Sequence, residues 1–121
     1  MKIRKVLVLG ASLKQDRYSN RAIRKLAANN FWVVGLGLRE GDVSGIKIHT
    51  EQFDIEDLYA VTIYMNAYNQ EEFYDYLVGL KPQKIIFNPG AENSEFESVL
   101  KNQGIPFERA CTLVLLSMDQ F

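Results

Sequence analysis

The residues best suited to chemistry follow the first apolar run of the chain, in the stretch GASLKQDRYSN. Gly10 permits a sharp turn of the backbone, and the small residues Ala11 and Ser12 leave space and amide donors for a phosphate group. Lys14 and Arg17 add positive charge, and the planar guanidinium of an arginine matches phosphate oxygens. The stretch therefore predicts a loop that binds a phosphorylated ligand.

A helix that begins near Ser19 or Asn20 would direct its positive N-terminal end at the same loop. The loop has one glycine and is several residues longer than the G-x-G-x-x-G turn of dinucleotide-binding domains. A longer loop leaves room for a ligand that lies across the strand ends differently from a dinucleotide. The alternative is an ordinary strand–helix turn with a solvated basic loop.

Arg39 follows the second apolar run, where NAD-binding domains usually carry an acidic residue for the ribose hydroxyls. An arginine at this point indicates a phosphorylated ribose, as in the 2′-phosphate of NADP or the 3′-phosphate of coenzyme A. The alternative is a surface arginine that contacts no ligand.

Later turns carry small and polar residues that would line the same cleft. Gly90 and Ala91 let a ligand approach the backbone, whereas Asn69 and Ser94 are expected to cap helices. Cys111 comes after the last strand and before a helix, so we expect it at the rim of the cleft, where it would form a mixed disulfide with a thiol ligand. A buried structural cysteine is the alternative at that position.

These residues must be positioned by elements that alternate between strand and helix. Buried strands are predicted from five apolar runs: Lys5–Leu9, Phe31–Leu38, Ala60–Met65, Lys84–Phe87 and Ile105–Arg109. Helices are predicted to begin near Ser19, Asn69, Ser94 and Thr112. Between the second and third strands we expect a turn at Gly41–Gly45, a short strand or extended loop at Ile46–Ile48 and a short acidic helix at Glu51–Leu58.

The alternation predicts an α/β fold with one doubly wound, five-stranded, mainly parallel sheet. In such sheets ligands bind beyond the carboxyl ends of the strands, where the strand order reverses. The candidate turns all lie at those ends. The length of 121 residues fits a single domain over residues 1–121.

Composition narrows the classes of function. A formal net charge of −1 gives no electrostatic case for binding nucleic acid or an anionic membrane. One histidine and one cysteine cannot supply a His/Cys metal site. The first apolar run, Val6–Leu9, is too short for a signal peptide, and no run approaches the roughly 20 residues of a membrane helix. With a single cysteine, this pattern predicts a cytoplasmic protein.

Several segments resemble the small stand-alone CoA-binding domain proteins, which are similar to the CoA-binding domain of the succinyl-CoA synthetase α-subunit without its partner domain. The resemblance rests on VLVLGAS followed by Asp-Arg-Tyr-Ser, on VSGIKIH, on IIFNPGAEN and on ERACT, and it extends over nearly the whole chain. It implies a Rossmann-like fold with coenzyme A or an acyl-CoA as the ligand.

The resemblance also implies roles for individual residues. The CoA phosphates would be held by Gly10, Ala11, Ser12, Arg17 and Ser19. Arg39 would lie near the adenosine end, and Gly90 and Asn93 would line the far side of the cleft. Many family members read Pro-Val-Asn-Pro at the end of the second strand, where this chain reads Gly-Leu-Gly-Leu. The catalytic phosphohistidine of the synthetase belongs to the missing domain, so no ligase activity is implied.

Three functions follow from these observations. The first is a CoA-binding module without catalysis of its own, which senses, carries or regulates through acyl-CoA. The second is a small NADP-dependent oxidoreductase, indicated by Arg39 and weakened by the missing glycine fingerprint. The third is an interaction protein whose nucleotide site has degenerated. We expect a monomer or a weak homodimer, with an unidentified protein partner left open.

Overall fold

The computed structural model describes residues 3–121, which form one seven-stranded sheet with helices on both faces. The strands are β1 (Lys5–Ala11), β2 (Trp32–Gly37), β3 (Gly41–Val43), β4 (Ile46–His49), β5 (Leu58–Ile63), β6 (Lys84–Phe87) and β7 (Phe107–Arg109). The helices are α1 (Tyr18–Ala28), α2 (Ala67–Gln70), α3 (Tyr74–Leu80), α4 (Ser94–Gln103) and α5 (Thr112–Ser117), with a 3₁₀ turn at Glu71–Phe73.

The strands lie side by side in the order β3-β4-β2-β1-β5-β6-β7. Strand β3 pairs antiparallel with β4, and the other pairs in the described sheet are parallel. Numbered along the chain, the parallel strands follow the order 3-2-1-4-5-6, which is the order of the Rossmann fold. The predicted α/β, doubly wound, mainly parallel sheet is confirmed.

Strand β1 forms the centre of the core. Its residues Val6–Leu9 are fully buried, because alternate side chains contact helices on opposite faces of the sheet. The two valines belong to one apolar cluster with Ile23 of α1 and Leu116 of α5. The two leucines belong to another cluster with Leu77 of α3 and Phe96 of α4. Helices α1 and α5 therefore cover one face, and α3 and α4 cover the other.

The predicted number of five strands is wrong, because a hairpin adds β3 and β4 to the edge beside β2. The turn expected over Gly41–Gly45 is confined to Ser44 and Gly45, whose φ angles are 50° and 82°. Two consecutive residues with positive φ make a tight hairpin connection. Val43 and Ile48 are buried, so both strands of the hairpin are fixed by the core.

The acidic helix expected at Glu51–Leu58 is also wrong, since this segment runs as an irregular connection into β5. The Tyr76 hydroxyl of α3 accepts from the Phe53 N–H at 3.4 Å and donates to the Phe53 carbonyl at 2.6 Å. Ile55 is buried in the core. Tertiary partners thus satisfy backbone groups that a helix would have paired internally.

The caps of α2 and α4 are Asn66 and Asn93, rather than the predicted Asn69 and Ser94. In each case the side-chain oxygen accepts from the backbone N–H three residues further on, at 3.0 Å. These asparagines satisfy N–H groups that the first turn of a helix otherwise leaves unpaired.

Candidate functional site

The strand order reverses beside β1, at the carboxyl edge of the sheet. After β1 the chain forms β2 on one side, and it returns on the other side as β5. The helix that follows β1 covers one face of the sheet, and α3, after β5, covers the opposite face. Diverging loops open a crevice at such a point, which is where doubly wound sheets bind ligands.

Gly10 shapes the first wall of the crevice. Its φ angle is 88°, and a Cβ added to it would lie 3.0 Å from the Tyr64 carbonyl carbon and 3.2 Å from the Met65 nitrogen. The pairing of β1 with β2 shifts register between Leu9 and Ala11. The chain therefore bulges at Gly10 and passes close to the backbone that follows β5, which a larger residue would prevent.

Gly37 permits a second close approach. A Cβ added at this residue would overlap the carbonyl oxygen of Ala11, so the ends of β1 and β2 meet only because β2 ends in glycine. The segment Gly-Leu-Gly-Leu, which departs from the pattern expected from the resemblance, thus has a structural role in the wall of the crevice.

Asn20 connects the loop to α1. Its Nδ2 donates to the Ser12 carbonyl oxygen at 2.9 Å, and its Oδ1 accepts from Arg24 Nε at 2.9 Å. The Ser12 hydroxyl oxygen accepts from the Lys14 N–H at 3.1 Å. Ser19 and Asn20 are buried within the first turn of α1, so the predicted cap at either residue is wrong. The loop is held in place by these bonds.

Helix α1 begins without a capping side chain. Arg17 occupies the N-cap position with extended backbone angles but makes no capping hydrogen bond, and the first turn, which lies within the described chain, holds no acid. By contrast, α2 and α4 are capped by Asn66 and Asn93. No side chain therefore pairs with the first N–H groups of α1, and the helix dipole favours negative charge at this end.

Arg39 lies beside an apolar surface that sequence reasoning missed. The strand predicted to reach Leu38 ends at Gly37, and the Leu38 side chain is 97% exposed. The exposed Leu13 side chain packs on Gly41, where an added Cβ would lie 2.7 Å from Leu13 Cδ2. The segments after β1 and β2 thus carry two exposed leucines, Leu13 and Leu38, and the exposed Arg39.

A buried polar network supports the other side of the crevice. Asn88 Nδ2 donates to Thr62 Oγ1 at 2.6 Å and to the Ile63 carbonyl at 2.9 Å. Its Oδ1 accepts from the Thr112 N–H at 2.8 Å, and the two threonine hydroxyls lie 2.7 Å apart. The network joins β5, β6 and α5. An asparagine directly after a buried strand was the signal that sequence reasoning passed over.

Gly90 and Asn93 follow β6 and differ in what they offer a ligand. Gly90 is exposed, and its N–H donates to a carboxylate oxygen of Glu92 at 2.9 Å. Asn93 is 4% exposed, and its Nδ2 donates to Gln70 Oε1 at 2.9 Å and to the Tyr74 hydroxyl at 2.8 Å. Because its oxygen caps α4, the Asn93 side chain is fully engaged within the fold.

Cys111 lies half-buried at the N-cap of α5, directly after β7. Tyr64, which follows β5, has its hydroxyl buried beside Thr62 and Thr112. Burial raises the pKa of Tyr64 to about 12, so its phenol stays protonated at neutral pH. Cys111 thus lies at the same edge of the sheet as the loop after β1, after a different strand.

Comparison with known proteins identifies the family to which this chain belongs. A family model described as a CoA binding domain matches residues 4–117. The chain belongs to this CoA-binding domain family. The predicted resemblance is confirmed, and no curated protein matches the sequence.

Solved structures agree with the fold of this CoA-binding domain. A crystal structure of an uncharacterized protein is 39% identical, with a TM-score of 0.95 and full coverage of both chains. A protein from Thermus thermophilus is 20% identical with a TM-score of 0.84, over 98% of this chain and 91% of that one. A conserved hypothetical protein from Pyrococcus furiosus is 21% identical with a TM-score of 0.78, over 93% and 99%.

The predicted site residues of the CoA-binding domain fall into two groups at one edge of the sheet. The first group extends from the end of β1 through the following loop into the first turn of α1, and Arg39 follows β2 at the same edge. Its members are Gly10, Ala11, Ser12, Lys14, Arg17 and Ser19. The second group follows β6 and β7: Gly90, Asn93 and Cys111. Within residues 3–121 no His, Cys, Asp or Glu cluster could hold a metal ion, and no helix is long and apolar enough to cross a membrane.

Proposed function

We propose that the protein binds coenzyme A or an acyl-CoA at the carboxyl edge of its sheet, as a module without catalysis of its own. The observation that carries the proposal is the uncapped start of α1 beside the Gly10 loop. This arrangement suits phosphate oxygens, and membership of the CoA-binding domain family supplies the class of ligand.

The diphosphate occupies the loop after β1 in this proposal. The amides near Ser12 and at the start of α1 donate to the phosphate oxygens, and the exposed Lys14 and Arg17 side chains add charge. Asn20 holds the loop in position through its bond to the Ser12 carbonyl. A loop held in place without ligand loses less conformational entropy on binding.

The adenosine end lies toward β2. Arg39 pairs with the 3′-phosphate, since its guanidinium is exposed at the end of this strand. The apolar side chains of Leu13 and Leu38 offer a surface for the face of the adenine ring. Burying these exposed leucines against a base removes apolar surface from water.

The pantetheine arm extends across β5 toward the ends of β6 and β7. Gly90 leaves space there, whereas Ala91 is buried in the core and does not face the ligand. Cys111 lies near the thiol end in this arrangement. We omit Asn93 from the proposed ligand contacts, because its polar atoms are bonded within the fold.

Isothermal titration with coenzyme A and dephospho-CoA tests the placement of the adenosine end. Arg39→Gln should weaken binding of coenzyme A by about tenfold or more, the loss expected for a charged hydrogen bond. The affinity for dephospho-CoA, which lacks the 3′-phosphate, should not change. Arg4→Gln, which removes a positive charge near Tyr59, serves as the control. Equal losses for both ligands would remove Arg39 from the phosphate site.

Arg39 also favours a second candidate, an NADP-binding oxidoreductase, because NADP carries an extra ribose phosphate as well. The chain, however, lacks the G-x-G-x-x-G turn of dinucleotide-binding domains. No recognisable motif in it identifies a residue for hydride transfer. If titration finds neither ligand, the third function, an interaction protein with a degenerate nucleotide site, takes precedence. A cytoplasmic location stays a prediction from the sequence.

A further inference from the structure

Opposite charges are concentrated in two segments of this chain, which pack on opposite faces of the sheet. The segment of residues 48–80 contains no lysine or arginine and seven exposed acids: Glu51, Asp54, Glu56, Asp57, Glu71, Glu72 and Asp75. The segment of residues 14–25, which includes most of α1, has one acid against five basic residues: Lys14, Arg17, Arg21, Arg24 and Lys25. Helices α1 and α3 cover opposite faces, so opposite charges lie on opposite sides of the molecule.

The acidic side contains a groove of about 400 Å³, which we call the acidic groove. It is lined by residues of α3 and of the connection before β5, with a carboxylate from each: Gln52, Phe53, Asp54, Asp75, Tyr76, Gly79 and Leu80. The two hydrogen bonds between Tyr76 and Phe53 hold its walls together. The single ion pair found among residues 3–121 joins Arg109 and Glu97, so both groove carboxylates lack a cationic partner within that range.

Gly79 lies in α3, where glycine is unfavourable relative to alanine. Its φ angle is not in the left-handed region, and a Cβ added to it would meet no atom within 4 Å. The fold therefore does not require glycine at this position. The absent side chain leaves open space at this point of the groove lining.

The opposite side of the protein presents a matching group. Tyr18 at the start of α1 is 65% exposed, and the Arg21 guanidinium lies over its ring at 5.4 Å from the centroid. An aromatic side chain with a cation beside it complements an aromatic groove with carboxylates at its rim. We propose that Tyr18 and Arg21 of one copy of this chain dock into the acidic groove of a second copy.

The contact is heterologous, because the two surfaces lie on opposite faces of one molecule. A pair joined in this way keeps one unused surface of each kind, one on each copy, so further copies add head to tail into a series or close into a ring. A two-fold dimer with reciprocal contacts is not expected. Self-association is measured without ligand, because Tyr18 lies between Arg17 and Ser19 of the proposed phosphate site.

Sedimentation velocity over a range of protein concentrations, up to about 1 mM, tests the proposal, since exposed ion pairs each contribute little. The mean mass should rise with concentration beyond that of a dimer or settle at a ring larger than a dimer. It should fall to the monomer value as salt increases from about 0.01 M to about 1 M, because the Debye length shrinks from about 30 Å to about 3 Å. A chain that stays monomeric at low salt contradicts the proposal.

Charge reversal identifies the surfaces. Asp54→Lys with Asp75→Lys, or Arg21→Glu alone, should weaken self-association by about tenfold or more, while Glu108→Lys on β7 should not. An equimolar mixture of the double variant and Arg21→Glu should associate again, because each restores the complement that the other lacks. Unchanged association of both variants, or no recovery on mixing, would overturn the proposed pairing.

Gly79→Ala separates the role of the acidic groove from that of folding. The variant should unfold at a higher urea concentration than the natural chain, since alanine favours the helix, and it should self-associate less because the added Cβ occupies space in the groove lining. If Gly79→Ala is more stable yet self-associates as strongly as the natural chain, docking in the acidic groove is contradicted. A natural chain that stays monomeric but binds an unrelated arginine-containing peptide would reject a second copy as the occupant.

Discussion

Replacing Arg17 with alanine tests the proposed phosphate site in the loop after β1 while leaving the fold intact. Arg17 is exposed and makes no capping hydrogen bond, so its removal leaves neither a cavity nor an unpaired buried group. A hydrogen bond to a charged group contributes about 1.5–3 kcal/mol, which corresponds to roughly 10- to 150-fold in affinity. We therefore expect Arg17→Ala to bind coenzyme A at least about tenfold more weakly.

Isothermal titration and thermal unfolding of the same samples check this result. Surface substitutions change stability by at most about 0.5 kcal/mol, so the unfolding midpoint should move by roughly 2 °C or less. Lys101→Ala, which removes a positive charge from α4 on the opposite face, should leave the affinity unchanged. If Arg17→Ala binds coenzyme A as well as the natural chain and melts at the same temperature, Arg17 does not contact the ligand.

Three further changes have defined outcomes. Gly10→Ala should lower the free energy of unfolding by about 1–3 kcal/mol in urea titrations, because of the positive φ and the nearby Tyr64 carbonyl; an unchanged midpoint would show that the loop relaxes. Cys111 should form a mixed disulfide with oxidised CoA by thiol exchange, seen by intact mass; reaction only after denaturation would make it structural. Because burial raises the pKa of Tyr64 above its ordinary value of 10, part of the stability is lost as the pH rises from 10 to about 12. Tyr64→Phe should show a smaller alkaline loss of stability, and an equal loss would contradict this origin.

The main strands were predictable because a strand buried on both faces needs a continuous apolar run. Val6–Leu9 is such a run, and the structure buries all of it. Strand β4 was expected, as a short strand or extended loop at Ile46–Ile48. The hairpin that pairs it with β3 was missed, because both strands are short and only half apolar. Its position depends on Val43 and Ile48 reaching a core that neighbouring elements create. Local pattern alone does not contain that information.

The candidate site was partly predictable for a similar reason. The glycine and the cations of the loop after β1 were predictable from residue type alone. Leu38 was instead predicted as one more buried strand residue, but the strand ends at Gly37. Asn93 resembled a ligand contact, yet its amide bonds Gln70 and Tyr74, which are distant in sequence. Pairings of this kind depend on tertiary packing, so a single sequence does not specify them.

The central claim is the choice of ligand, and thermal shift at equal ligand concentrations tests it most directly. A ligand that binds the folded state stabilises it by about 2.7 kcal/mol at 100 times its dissociation constant. We expect coenzyme A or an acyl-CoA to raise the unfolding temperature clearly more than NADP or NAD. Greater stabilisation by NADP than by every CoA species tested would contradict the account and favour the oxidoreductase.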